Sequence, residues 1–271
     1  MFVLAISQKA VNNWSAPLPF VLFFASVLVG YLVAFLNLFL HEAAHYGLAS
    51  KIWKNDILGW LAVGWIVGTN IQTYRKGHWR HHLRLGKTDD PENSYFSNLD
   101  GLTIAKALFG IKALQKIFSP THQTETTSSL IGAKLPILVG LLNHAILILV
   151  FVLMNAWTAL SIWILGLAFF FPFFAWLRQL LEHRSETSQS SIDYTKTDHG
   201  AVARIFGSGP VSSTFGGAGF NRHLLHHWDA TISCTRLSDV ENFLLQSNLR
   251  ESVLSSKTSY LKTVSTLLRQ R

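Results

Sequence analysis

The chain has 271 residues, of which 49% are hydrophobic, 13% aromatic and only 14% charged, with a formal net charge of +8. Soluble globular proteins carry about 25% charged residues, so this composition excludes an ordinary soluble domain. The single cysteine, Cys234, excludes an intramolecular disulfide and any cysteine-built zinc or iron–sulfur site, and without an Arg-rich arm or aromatic-basic module the positive charge is not read as nucleic-acid binding.

In chain order, residues 1–16 are too short and polar to cross a bilayer. Lys9 is their only basic residue and no small-residue cleavage site follows, so the first apolar run is read as retained rather than as a signal peptide. No formally charged side chain occurs between Lys9 and Glu42, and 43 consecutive uncharged residues lie between Lys134 and Arg178. At about 20 apolar residues per crossing, the first gap predicts one span (residues 18–40). The second predicts two (135–155 and 158–177), joined at Asn155-Ala156-Trp157 as an antiparallel hairpin. The apolar stretch 57–71 is too short to span and, with Trp53, Trp60 and Trp65 nearby, reads as an interfacial helix. The expected fold is therefore all-α: a single domain over residues 1–271, with a membrane helical bundle and a polar cap formed by residues 72–134 and 178–271. In the tail, the glycine-rich runs at 207–210 and 216–219 read as turn and loop, and residues 239–249 and 253–268 have helical spacing.

If 57–71 does not cross, 22 of the 23 Lys and Arg residues share one compartment, and only Lys9 lies opposite. The positive-inside rule makes that compartment the cytoplasm.

Three histidine clusters stand beside these apolar segments: His41/His45 (HxxxH), His78/His81/His82 (HxxHH) and His223/His226/His227 (HxxHH). With 12 histidines in the chain, HxxHH is expected by chance roughly 0.02 times, yet it occurs twice. On a helix, positions i and i+4 share a face, so His41 and His45 can direct both rings at one point. In HxxHH the first and fourth residues are expected to share a face, with the fifth slightly around the helix. Three converging clusters supply eight ligands and His183 makes nine, too many for one ion and suited to two with four or five nitrogens each. Imidazole alone does not settle the metal, but structural zinc needs only four ligands, so a redox pair explains the number better.

The box set resembles the membrane fatty acid desaturase and hydroxylase superfamily in order and membrane placement. Supporting similarity lies in Tyr74-Arg75-Lys76-Gly77, Asp89-Asp90-Pro91, Glu182-His183-Arg184 and Asn221-Arg222, and the resemblance runs from His41 to Leu245. It implies a non-haem centre of two iron ions, O2 as co-substrate, a lipid substrate taken from the bilayer, and hydrogen abstraction from an unactivated C–H bond. The box histidines and His183 are the implied ligands, and Asn221 is the implied holder of a metal-bound water. No cytochrome or ferredoxin-like segment is attached, so electrons are expected from a separate ferredoxin- or cytochrome b5-like carrier. The chain departs from the pattern in having one span, not two, before the first box. The leading expectation is a fatty acyl desaturase. The alternatives are a hydroxylase or ketolase of acyl lipid, carotenoid or alkane, and a non-catalytic membrane metal or haem protein.

Glu42, Asp198 and Asp229 are candidates to orient imidazoles through their second nitrogen. His144, with Asn143, lies mid-span, where a polar group is costly; a bond between helices is the expectation. His122 reads as solvated and His199 as a surface residue. Phe169-Phe170-Phe171 and Phe173-Phe174 read as packing or lipid-facing surface.

Overall fold

The computed structural model describes residues 1–87, 89–96, 99–112, 130–184 and 203–269. Among the described residues it is mostly helical, with one two-stranded parallel pairing. Among the described residues, three helices are long and apolar enough to cross a membrane: Leu18–Ala44, Leu135–Leu153 and Trp157–Glu182. Each follows from the sequence as a stretch rich in Leu, Val, Ile and Phe, whose backbone polar groups must be satisfied internally in a bilayer. The chain divides into two compact units, residues 1–37 with 60–70 and 104–175, and residues 38–59 with 71–103 and 176–271.

In the first unit, residues 2–14 form a helix that the sequence reading left unassigned. Its Gln8 side-chain carbonyl accepts the backbone N–H of Ala159 at 3.1 Å. Ala159 lies in the first turn of helix Trp157–Leu165, where N–H groups lack intrahelical partners, so the N-terminal helix completes the start of the third span.

The third span contains a π-helical turn at Gly166–Phe170. A Cβ at Gly30 would overlap the Cβ and backbone of Phe170, and one at Gly166 would press on Val29. Small residues at such crossings let helices approach closely where lipid supplies no hydrophobic drive between them. His144 joins three segments: the indole N–H of Trp163 donates to its Nδ1 at 3.4 Å, and its Nε2 meets the carbonyl of Ile66 at 2.8 Å. The expected bond between helices is thus present, and it satisfies a carbonyl near a helix end.

The stretch read as an interfacial helix at 57–71 is broken. Helix Ile52–Gly59 passes into a π-turn at Trp60–Gly64 and a last turn at Trp65–Val67, which ends at Gly68 with φ of +64°. It is not among the helices long enough to cross. Residues 104–112 cluster with the first unit, where the Phe109 ring meets Phe169 edge-on at 5.7 Å. Leu108 and Phe109 line a cavity of about 340 Å³ with Pro19, Leu22, Phe23, Leu165, Phe169 and Phe170.

In the second unit, the last two carbonyls of helix Leu18–Ala44 are both engaged. Ala43 O accepts from Asn55 and Arg75, and Ala44 O from Arg75 and the Trp79 indole, at 2.8 to 3.2 Å. Arg75 is also ion-paired with Asp56 and lies over the Tyr46 ring at 4.0 Å.

The tail is more broken than its periodicity predicts. Helix Leu237–Leu244 stops early, and the expected run 253–268 splits into Arg250–Ser255 and Tyr260–Arg269. Between them Lys257 and Thr258 pair in parallel with Ile205 and Phe206, and the Tyr260 ring stacks on Phe206 at 4.0 Å. Residues 207–209 form a loop that bends at Ser208 and Gly209, whereas Pro210 starts a short helix. Residues 217–222 form a kinked 3-10 segment with positive φ at Ala218 and Gly219.

Candidate metal centre

The nine predicted histidines meet in the second unit. His41 sits in the last turn of the first span helix and His45 just beyond it. His78, His81 and His82 lie on helix Ile71–Arg84, His183 directly follows helix Phe171–Glu182, and His223, His226 and His227 occupy helix His223–Trp228. All are buried except His82, which is half-buried.

They divide into two groups. His41, His45, His78, His82 and His226 bring one nitrogen each within 4.8 Å of one another, and so do His81, His183 and His227. His223 joins the second group, its Nε2 lying 2.8 Å from that of His183 and 3.1 Å from that of His227. The result is five nitrogens and four. Because His45 lies 4.9 Å from His78 and 4.8 Å from His82, ring to ring, the chain between the first two boxes returns to the place it left.

Within each HxxHH box the partition differs from the expected pairing of first and fourth residues. His78 pairs with His82, and His223 with His227, while His81 and His226 turn to the opposite group. The fifth residue lies about 40° around a helix from the first, the fourth about 60° the other way. A helix set between two centres therefore gives its i and i+4 rings to one and its i+3 ring to the other, and both box helices do so.

The protonation pattern decides what these nitrogens can hold. His81 Nδ1 meets the Asp90 carboxylate at 2.9 and 3.0 Å, and His183 Nδ1 meets the carbonyl of Gln179 at 2.9 Å. Both partners only accept, so each Nδ1 carries the proton and each neutral ring presents a lone pair at Nε2. Those two Nε2 atoms lie 3.0 Å apart. The other Nε2 pairs, His78–His82, His82–His226 and His183–His227, lie at 3.1 to 3.2 Å. Converging lone pairs repel unless a cation binds them, and nitrogens bonded to one ion at about 2.1 Å sit about 3 Å apart when adjacent. The donor set fits two imidazole-bound transition-metal ions.

Burial keeps the rings in the ligating form. Desolvation, reinforced by neighbouring imidazoles, holds His82, His183, His223, His226 and His227 well below the ordinary histidine range and lowers His45 to about 2. The Phe220 ring stands edge-on to His41 at 4.5 Å and to His226 at 5.5 Å, an apolar wall on the first group.

The groups that orient the imidazoles are mostly not those expected. Glu42 is buried, but its Oε1 accepts the backbone N–H of Cys234 at 3.1 Å, so it ties the first box to the loop beyond the third rather than bonding a ring. Asp229 is exposed and caps its own turn through Thr231. Asn221 spends its amide on the Gly207 carbonyl at 2.6 Å and its oxygen on Arg222 at 3.2 Å, so both ends are committed to the protein rather than directed at a water. Asp198, His199 and His122 lie outside the described residues. The contacts to ring nitrogens come instead from Asp90, from Glu92 (to His78 Nδ1 at 3.2 Å), and from Glu182, whose carboxylate is 3.7 Å from His223 Nδ1 and which accepts from Tyr260 at 3.4 Å. The advance signals were the Asp89-Asp90-Pro91 similarity for Asp90 and, for Glu92, only its place closely following a histidine box.

Comparison with known proteins adds one finding. The family model described as "Fatty acid desaturase" matches residues 16–257, most of the chain and a range that contains all nine histidines. No curated protein and no solved structure gives a significant match.

Proposed function

The chain belongs to the fatty acid desaturase family, and from that premise we propose that it is a membrane-bound, O2-dependent fatty acyl desaturase whose two histidine groups hold two iron ions. The coarser statement, a membrane lipid oxidoreductase of the desaturase/hydroxylase type, follows from the family itself. The observation that carries the finer reading is the division of nine histidines into sets of five and four. Their lone pairs converge where burial keeps the rings neutral.

In this reading His41, His45, His78, His82 and His226 hold one ion, and His81, His183, His223 and His227 the other. Bound iron would supply O2 activation and the oxidising power needed at an unactivated C–H bond. The chain's own residues supply placement and dryness. Asp90, Glu92 and the Gln179 carbonyl fix which ring nitrogen carries the proton, and Phe220 excludes water from one side of the first group. The balanced reaction converts –CH2–CH2– with O2, two electrons and two protons into –CH=CH– and two waters. The electrons come from a separate carrier, ferredoxin-like or cytochrome b5-like. The boxes and the C-terminus face the cytoplasm, as the distribution of Lys and Arg supports.

The test is expression in a host that supplies ferredoxin and its reductase, followed by lipid profiling and metal analysis. New double bonds and about two irons per chain are expected. Hydroxyl or keto products would reassign the reaction to the hydroxylase or ketolase class. Haem absorbance or stoichiometric zinc after iron-replete growth would overturn the iron reading.

A further inference from the structure

We propose that Asp90 and Glu92, two residues apart in one loop, are separate positioning residues for the two ions, one serving each histidine group. This rests on the two-iron reading above. Asp90 is fully buried as a side chain and takes the Nδ1 proton of His81, which belongs to the group of four. Glu92 takes that of His78, which belongs to the group of five. A carboxylate on the far nitrogen of a ligating imidazole fixes its tautomer and raises its basicity, and losing such a partner typically costs 10–100-fold in metal affinity.

The loop is built to hold the two acids in different places. Asp90 is locked from several sides: Tyr95 donates its hydroxyl to Oδ2 at 2.7 Å, and Glu92 donates its backbone N–H to Oδ1 at 2.7 Å. The Tyr95 hydroxyl in turn accepts the Gly86 N–H at 2.6 Å. Pro91 fixes the backbone torsion between the two acids. The second oxygen of Glu92 accepts the Gln179 side-chain N–H at 2.7 Å, and the Gln179 backbone carbonyl accepts the Nδ1 proton of His183. Glu92 is thereby pinned to the helix end that carries His183 while its other oxygen serves His78. The second box sends His78 and His81 to different groups, and its loop sends a different acid after each.

The experiment is a chelator challenge on the full-length protein purified in detergent from iron-replete cells, combined with Mössbauer spectroscopy of the ⁵⁷Fe-loaded protein. Wild type should release two irons per chain and show two distinguishable iron environments. Asp90→Asn and Glu92→Gln should each speed release of one iron by about 10–100-fold and shift one environment, a different one in each variant. Glu92→Asp should recover part of the retention. Gln179→Leu, which leaves its backbone carbonyl in place, should weaken the same iron as Glu92→Gln. Should Asp90→Asn fail to fold, the Glu92 and Gln179 variants decide the point alone. Equal loosening of both irons in Glu92→Gln, or wild-type release and spectra, would overturn the assignment. A wild-type protein that retains fewer than two irons would instead overturn the two-iron reading beneath it.

Discussion

The Nε2 atoms of His81 and His183 face each other at 3.0 Å although the residues are 102 positions apart in sequence. Both rings are protonated on their far nitrogen, so both present lone pairs to the same point. Replacing either with Ala should remove one ligand from the group of four and abolish turnover. The loss of retained iron should exceed the roughly 10–100-fold typical of an outer partner. His226→Ala should do the same through the group of five. Iron content by elemental analysis and product yield check this, and normal turnover in any of these variants would remove that residue from the set.

Stability of the metal-stripped protein should depend steeply on pH. His45, His82, His183, His223, His226 and His227 are all lowered from 6.5 by desolvation. Below pH 6.5 the unfolded chain therefore binds more protons than the folded one. Stability is fully present above that value and is lost as pH falls below it. Thermal unfolding in detergent should show Tm falling progressively between pH 7 and pH 5. A flat profile would mean that the rings protonate freely in the folded protein.

His144 is expected to behave differently. It bonds Ile66 and Trp163 within the first unit, and hydrogen bonds between membrane helices contribute only about 0.6 kcal/mol on average. His144→Leu should lower Tm slightly and leave iron content unchanged. A loss of iron comparable to that of His81→Ala would contradict its structural role.

Gly30→Leu should be far more damaging to folding. The new side chain would overlap the Cβ and backbone of Phe170, and forced overpacking costs typically about 1–3 kcal/mol. Yield of folded protein after detergent extraction and its Tm are the measurements. A wild-type Tm would show that the crossing has slack.

Most of this architecture was legible in the sequence because its strongest signals are local. Long stretches rich in apolar residues give the three long helices, and the box spacings give eight of the nine histidines. What was missed depends on tertiary contact. Nothing in residues 1–16 shows that Gln8 will serve the first turn of another helix. Lys257 and Thr258 sit in a helical pattern and leave it because a strand partner waits at Ile205 and Phe206. Asp229 and Glu42 are acids beside histidines in sequence, yet their side chains point to a turn and to Cys234. Asp90 and Glu92 are farther along the chain and reach the rings because a tight loop folds them back. The i+4 pairing within each box was also hidden, because the choice between i+3 and i+4 is made by where the second centre lies.

Each nitrogen set draws on both early and late parts of the polypeptide, His41 with His226 in one and His81 with His227 in the other. At roughly 5–20 residues per second, a ribosome needs about 10–40 s to travel from His41 to His226. Throughout that interval the nascent chain carries unmatched imidazoles, open to any stray divalent cation. On the proposed two-iron reading, a product that terminates before position 223 lacks the third box altogether and completes neither histidine group, so partial chains are expected to be catalytically silent rather than half-active.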